Sequence, residues 1–117
     1  MAHTDFGAGL QNASEIMITV AGRSSGRSHS FPIWFALDGI TLYLIPVRGS
    51  DTQWYKNVRK RPAIQLSARG KTLTANARLI TDQTQLDQIL EKFRDKYGSN
   101  VKSYYPKYDI AVEVPLE

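Results

Sequence analysis

The sequence predicts a mainly β fold of the α+β class, an antiparallel barrel of about six strands carrying two to three helices. Three observations point there. Two pairs of apolar, alternating runs are each joined by a short turn signal, at Asp38-Gly39 and at Arg69-Gly70. Two segments carry clear helical character, and each stands singly between strand pairs. The strand–helix–strand alternation that builds a parallel sheet is absent.

Each element follows from local residue chemistry. Residues 1–15 are polar with Gly7 and Gly9, so they read as a loose arm or a short helix outside the core. Ile16 to Val20 reads as a first strand, and the turn A-G-R-S-S-G-R that follows is punctuated by Gly22 and Gly26. Ser30 to Leu37 is a second strand rich in aromatic and branched residues. Its Pro32 argues for an edge or a bulge. Thr41 to Val47 is the antiparallel partner across the Asp38-Gly39 turn.

Arg48 and Gly49 then turn the chain into a helix over 51–60, with Ser50 and Gln53 at the S-x-x-Q capping spacing, Asp51 in the first turn and Pro62 as the stop. Such a strand–turn–helix delivers free N–H groups to an anionic or carbonyl-rich ligand, which the bare backbone of Gly49 would let come close. The alternative for the same segment is ordinary strand–turn–helix architecture with a good cap. Ala63 to Ala68 and Lys71 to Ile80 form a second hairpin. Leu86, Ile89, Leu90, Phe93 and Tyr97 give Thr81–Tyr97 the spacing of an amphipathic helix, which Gly98 ends. Asp109 to Val114 alternates with period two as a closing strand.

At 117 residues the chain is expected to form one domain, residues 1–117. It has no cysteine, which excludes disulfides, thiolate catalysis and cysteine-ligated metals. His3 and His29 stand in unrelated segments, so no metal site is expected. Neither a charged-then-apolar leader nor a membrane-length apolar run is present, and a cytoplasmic protein without stable membrane insertion is the expectation. Fifteen Lys and Arg against eleven Asp and Glu give a net charge of +4, suited to nucleic acid, a membrane surface or a phosphorylated ligand. Arg23 and Arg27 lie in the acid-free segment Ala21–Leu37. Arg48, Lys56, Arg59, Lys60 and Arg61 share theirs with Asp51 alone. Two basic loops point to a local anion site.

No nucleophile elbow, Walker loop or dinucleotide fingerprint is present. An enzyme lacking its own acid, base and nucleophile set borrows chemistry from a cofactor. A reading of another class is a nucleic-acid-binding barrel, with Arg23, Arg27, Arg59, Lys60 and Arg61 as the electrostatic footprint and Trp34 and Tyr43 as stacking platforms. It is disfavoured because the basic residues sit in loops and a helix end, away from the aromatics.

The segment Gly22–Val58, with G-R-S-S-G-R, then P-I-W, then R-G-S-D-T-Q-W-Y-K-N, resembles the deazaflavin-dependent nitroreductase family of split β-barrel flavoproteins, relatives of the pyridoxamine-phosphate-oxidase-like FMN enzymes. The resemblance covers residues 18–80, and the later helix and strand follow the family order. It implies a six-stranded split barrel, a homodimer, and an oxidoreductase that binds coenzyme F420, a 5-deazaflavin, and passes hydride to a small organic acceptor such as a quinone, nitro compound or enone. An FMN-binding relative, or a barrel that binds cofactor without catalysis, stays open at this point.

By that resemblance Arg23, Ser24, Ser25, Arg27 and His29 hold the phosphate and acidic tail, Pro32 and Trp34 line the ring, Arg48, Gly49 and Ser50 offer backbone N–H groups to its carbonyls, and Trp54 and Asn57 face it from the helix. The residues themselves also allow Trp54 as core, Pro32 as a strand-edge device, and both arginines as a solvated turn. Ser24 replaces the usual lysine, and Arg27 is the residue able to supply a bidentate contact instead. The arm is shorter than the helix that bounds the substrate pocket in relatives. Tyr104, Tyr105 and Tyr108 are candidates to line that side, and no catalytic side chain is assigned.

Overall fold

The structure, a computed structural model, describes residues 13–116 apart from 69 and 100. Residues 1–12 of the expected arm, His3 among them, and Arg69 of the second turn lie outside the described residues.

Eight strands form two four-stranded antiparallel sheets. In the first, β1 (Ile16–Ala21) lies between β2 (Ser28–Ile33) and β5 (Ala63–Ala68), with β6 (Lys71–Asn76) beyond β5. The second runs β3 (Ala36–Asp38), β4 (Thr41–Leu44), β8 (Ala111–Pro115), β7 (Arg78–Ile80). Period two decides which side chains meet. Ile18 pairs with Phe31 and Leu66 in one row of the first sheet, while Leu42 pairs with Val114 and Leu44 with Val112 in the second. Ile16, Ile18, Val20, Ile64, Leu66 and Leu73 pack with Leu42, Leu44, Val112 and Val114 in one core.

Helix α1 (Gln53–Lys60) adds Trp54, Tyr55 and Val58 to that core. Helix α2 (Gln83–Tyr97) packs Leu86, Ile89, Leu90 and Phe93 in a second cluster with Ala36, Ile45, Ile80 and Ala111, joined by Val101 of the short α3 (Val101–Tyr104). Asp82 caps α2 by accepting from Gln85 N at 3.0 Å, and Gly98 ends it.

Six runs became eight strands because two of them bend. Ser30–Leu37 leaves the first sheet after Ile33 and enters the second at Ala36, and Lys71–Ile80 does the same across Ala77. The two sheets share no ladder among the described residues, so the pairing gives paired sheets in place of a closed six-stranded barrel. At the first bend the buried backbone of Phe35 is held by α2. Phe35 N donates to Tyr97 Oη at 3.0 Å, Lys96 Nζ donates to Phe35 O at 3.0 Å, and Tyr97 Oη donates to Ser14 O at 2.8 Å. A backbone leaving one ladder for another must find such partners elsewhere.

Other boundaries shift for local reasons. Asp38 pairs with Thr41, so the first turn is Gly39-Ile40, with Gly39 at φ 61° taking the left-handed position. The expected helix at 51–60 starts at Gln53. Ser50 lies in a preceding 3₁₀ turn, Gly49–Asp51, and does not cap the helix; Thr52 holds the cap position but turns its Oγ1 back to accept from Arg48 N at 2.8 Å.

The candidate functional site: a donor-lined groove under the 22–25 turn

The turn after β1 is closed by its own backbone. Gly22 N donates to Arg27 O at 2.8 Å, Gly26 N donates to Gly22 O at 2.9 Å, and Arg27 N donates to Ser25 Oγ at 3.1 Å. A Cβ at Gly22 would stand 3.0 Å from Ser25 Oγ and 3.2 Å from His29 Nε2, tight enough that a larger residue would push the turn away. This compact loop overhangs the inner edge of the first sheet beside α1.

Between them lies a groove of about 480 Å³ lined by Arg23, Ser24 and Ser25 of the turn, Val20, His29 and Phe31 of the sheet, and Gln53, Trp54 and Asn57 of the helix, with Gly22 at its base. That volume is in the usual range for a small-molecule site. Among the described residues no acidic side chain lines it. Phe31 and Trp54 face each other at 6.2 Å between ring centroids, tilted by 45°. One wall thus supplies hydrogen-bond donors and positive charge, while the floor supplies aromatic surface, the combination that an anion joined to a planar ring requires.

Arg23 organises the donor wall. Its Nη1 donates to Asn57 Oδ1 at 2.7 Å, its Nη2 to Gln53 Oε1 at 2.8 Å, and its backbone N to Asn57 Oδ1 at 3.1 Å. Asn57 is 9% exposed and is the buried polar side chain of the core. Gln53, four residues before Asn57 on the same helix face, is a site residue that sequence reasoning gave to capping. The i, i+4 spacing was the signal available to find it.

Of the sequence-predicted site residues, Arg23, Ser24, Ser25, His29, Trp54 and Asn57 meet in this groove, and Arg27 stands exposed at the base of the same turn. Pro32, Trp34, Arg48, Gly49 and Ser50 are not in its wall. Pro32 is exposed on an outer sheet face, opposite Met17. Trp34 is stacked between Tyr97 at 4.2 Å and Tyr104 at 4.3 Å, so both ring faces are covered. That also removes it as a nucleic-acid platform.

Gly49 is buried at φ 55°, and the space beside it is filled by the chain itself. A Cβ there would run into Asp109 Oδ1 and come within 2.8 Å of Lys107 O. Asp109 accepts from Ser50 N at 2.9 Å and from Ser50 Oγ at 2.6 Å, and Lys107 pairs with Asp51 at 2.8 Å, holding that carboxyl below its ordinary range. The backbone approach expected at Gly49 is therefore taken by residues 107–109. Tyr105 is buried and Tyr108 donates to Leu86 O at 2.5 Å, so of the three tyrosines Tyr104 alone is exposed. Among the described residues no helix is long and apolar enough to cross a membrane, and no cluster of three His, Asp or Glu is placed to hold a metal ion.

Paired antiparallel sheets with a groove that sets a basic and two amide side chains beside an aromatic pair suit a small molecule that joins an anion to a planar ring. Comparison makes the class specific. The family model for F420H2-dependent quinone reductase matches residues 2–117, and the chain belongs to that family. It is an oxidoreductase, and its cofactor is the deazaflavin F420. Among solved structures it is similar to an F420H2-dependent reductase, FDR-A, with a TM-score of 0.70 and 17% identity over 87% of this chain and 94% of that one. A Listeria innocua protein, provisionally described as a pyridoxamine 5′-phosphate oxidase, matches at TM-score 0.67 and 18% identity over 97% and 92%. A protein solved as a domain-swapped dimer matches at TM-score 0.72 and 20% identity over 95% and 86%.

Proposed function

We propose that this protein transfers hydride from reduced F420 to a quinone, with the groove under the 22–25 turn as the cofactor site. One observation carries the placement: among the described residues Arg23 is the one charged side chain lining this groove of about 480 Å³, and an aromatic pair lies beside it. Bound F420 supplies the hydride. The chain supplies the binding and the electrostatics. Arg23, with the Ser24 and Ser25 hydroxyls and His29, holds the phosphate oxygens, and exposed Arg27 adds long-range attraction for the acidic tail. Phe31 and Trp54 shield the planar ring from water. FMN, which also carries a phosphate and a planar ring, is the ligand that a direct comparison must exclude.

The acceptor follows from the family description, and nitro compounds and enones are the comparison substrates. The test is the decay of reduced-F420 absorbance in the presence of catalytic amounts of protein and a soluble quinone. Turnover is expected with quinone and F420 and none with reduced FMN; no turnover with any of the three acceptors overturns the reading.

We also propose that the protein acts as a homodimer. Phe35, Leu42 and Leu44 are fully buried within the chain and Phe31 partly so, which leaves none of them to a partner. The outward face of the first sheet is the better candidate. Its rows Ser30–Thr19–Gln65–Thr74 and Pro32–Met17–Ser67–Thr72 hold no charged side chain, and Met17 is 41% exposed. A similar fold solved as a domain-swapped dimer supports the assembly. A monomeric mass by light scattering at micromolar concentration overturns it.

A further inference from the structure

Gln53 and Asn57 hold Arg23 from one face of α1, and the chemistry of that contact fixes more than the arginine. A guanidinium has five N–H donors and no acceptor. Whichever amide atom stands 2.7 or 2.8 Å from it must therefore be oxygen, so Asn57 Oδ1 and Gln53 Oε1 both face Arg23. Each planar amide then presents its NH2 away from the arginine. Neither NH2 donates to a protein acceptor among the described residues, and both side chains line the groove. Asn57 is locked twice, since Oδ1 also accepts from Arg23 N.

We propose that Gln53 and Asn57 are positioning residues that use Arg23 to turn only donors toward the groove from this face of α1, selecting ligands that present oxyanion oxygens there. The proposal rests on the cofactor site described above and adds the origin of its selectivity. From the helix side the groove then meets the remaining Arg23 N–H groups and two oriented amide NH2 groups, while both amide oxygens are taken up by Arg23. A phosphate ester satisfies all of them through its lone pairs. A ligand group that is itself a donor leaves them unpaired, a penalty that falls most heavily on buried Asn57.

Replacing one amide by a carboxylate tests this without breaking the Arg23 contact. Gln53→Glu keeps an oxygen facing the guanidinium but substitutes an acceptor and a negative charge for the donor; the position is exposed, so folding is retained and a melting curve verifies it. Wild-type protein and Gln53→Glu are titrated by ligand fluorescence with F420 and with the same deazaflavin lacking its phosphate and tail. Asn57→Asp serves as the second variant. The expected result is at least a tenfold loss of F420 affinity in Gln53→Glu, with affinity for the phosphate-free ring changed by less than twofold. Equal losses for both ligands, which a merely structural role would produce, overturn the proposal, and so does an unchanged F420 affinity. Failure of the wild-type protein to bind F420 overturns the cofactor site itself, a distinct outcome.

Discussion

Arg23 and Asn57 are joined twice, through the guanidinium at 2.7 Å and the backbone N–H at 3.1 Å, to one amide oxygen. This contact spans 34 residues and ties the turn after β1 to helix α1. Replacing Asn57 by Leu removes the acceptor for both. The expected cost is about 1–3 kcal/mol of stability, because a backbone donor and a charged donor lose a part-buried partner. Chemical denaturation checks it, and an unchanged midpoint would mean that water satisfies the turn equally well.

Arg23→Ala is expected to weaken F420 binding by about 1.5–3 kcal/mol, the worth of hydrogen bonds to a charged group. Arg27→Ala acts from an exposed position outside the groove wall, so its smaller effect should vanish as salt is raised. Titrations at low and high salt separate the two. Equal effects of both variants at high salt would place Arg27 in direct contact as well.

Gly49→Ala is expected to destabilise the fold by about 2–5 kcal/mol, combining a left-handed backbone with a methyl group driven into Asp109 and Lys107. The fraction that still folds should bind F420 with ordinary affinity, since the groove lies elsewhere. A folded variant that has lost binding would return the ring to the Arg48–Ser50 loop.

Tyr105 Oη is buried and without a hydrogen-bond partner among the described residues. Its desolvation raises the phenol pKa far above the ordinary value. Tyr105→Phe removes that group and keeps the ring, which packs edge-on against Trp34 and Phe93. The melting temperature should stay the same or rise. A clear fall would reveal a partner for the hydroxyl.

Stability should pass through a maximum at about pH 10, where the rising lysine limb meets the falling tyrosine limb. Burial lowers Lys96 to about 8, so from there to about 10.4, where an unperturbed lysine titrates, the unfolded chain binds more protons than the native one and stability rises with pH. Burial raises Tyr97 to about 12, and Tyr43, Tyr105 and Tyr108 move the same way. Their stability contribution is complete below about 10 and is lost as pH climbs through the folded values. Melting curves across the range check both limbs. A continuous fall from neutral pH would show that Lys96 is solvated.

Much of this fold was legible locally. The alternation in Ile16–Val20 and Ala63–Ala68 and the spacing of Leu86, Ile89, Leu90 and Phe93 each report a contact pattern that repeats within a few residues. The bends at Trp34–Phe35 and Ala77 were not legible, because a strand changes sheet where distant partners stand ready, here Lys96 and Tyr97 about 60 residues later. Ser50 carried a proper capping spacing, yet Asp109 competes for its hydroxyl and N–H from 59 residues away. In the site, the basic turn and the Trp54–Asn57 face were readable as types. What they bond to was not: Gln53 acquires its role from an arginine 30 residues earlier.

F420 bound between the 22–25 turn and α1 would be seen without any substitution, by chemical-shift mapping of the isotope-labelled protein on addition of F420. The largest shifts are expected on the backbone of residues 20–29, on Phe31 and on Gln53–Asn57, with the Trp54 indole N–H among them. Shifts concentrated at Arg48–Ser50 and Lys107–Asp109, with the 22–25 turn unmoved, would contradict it.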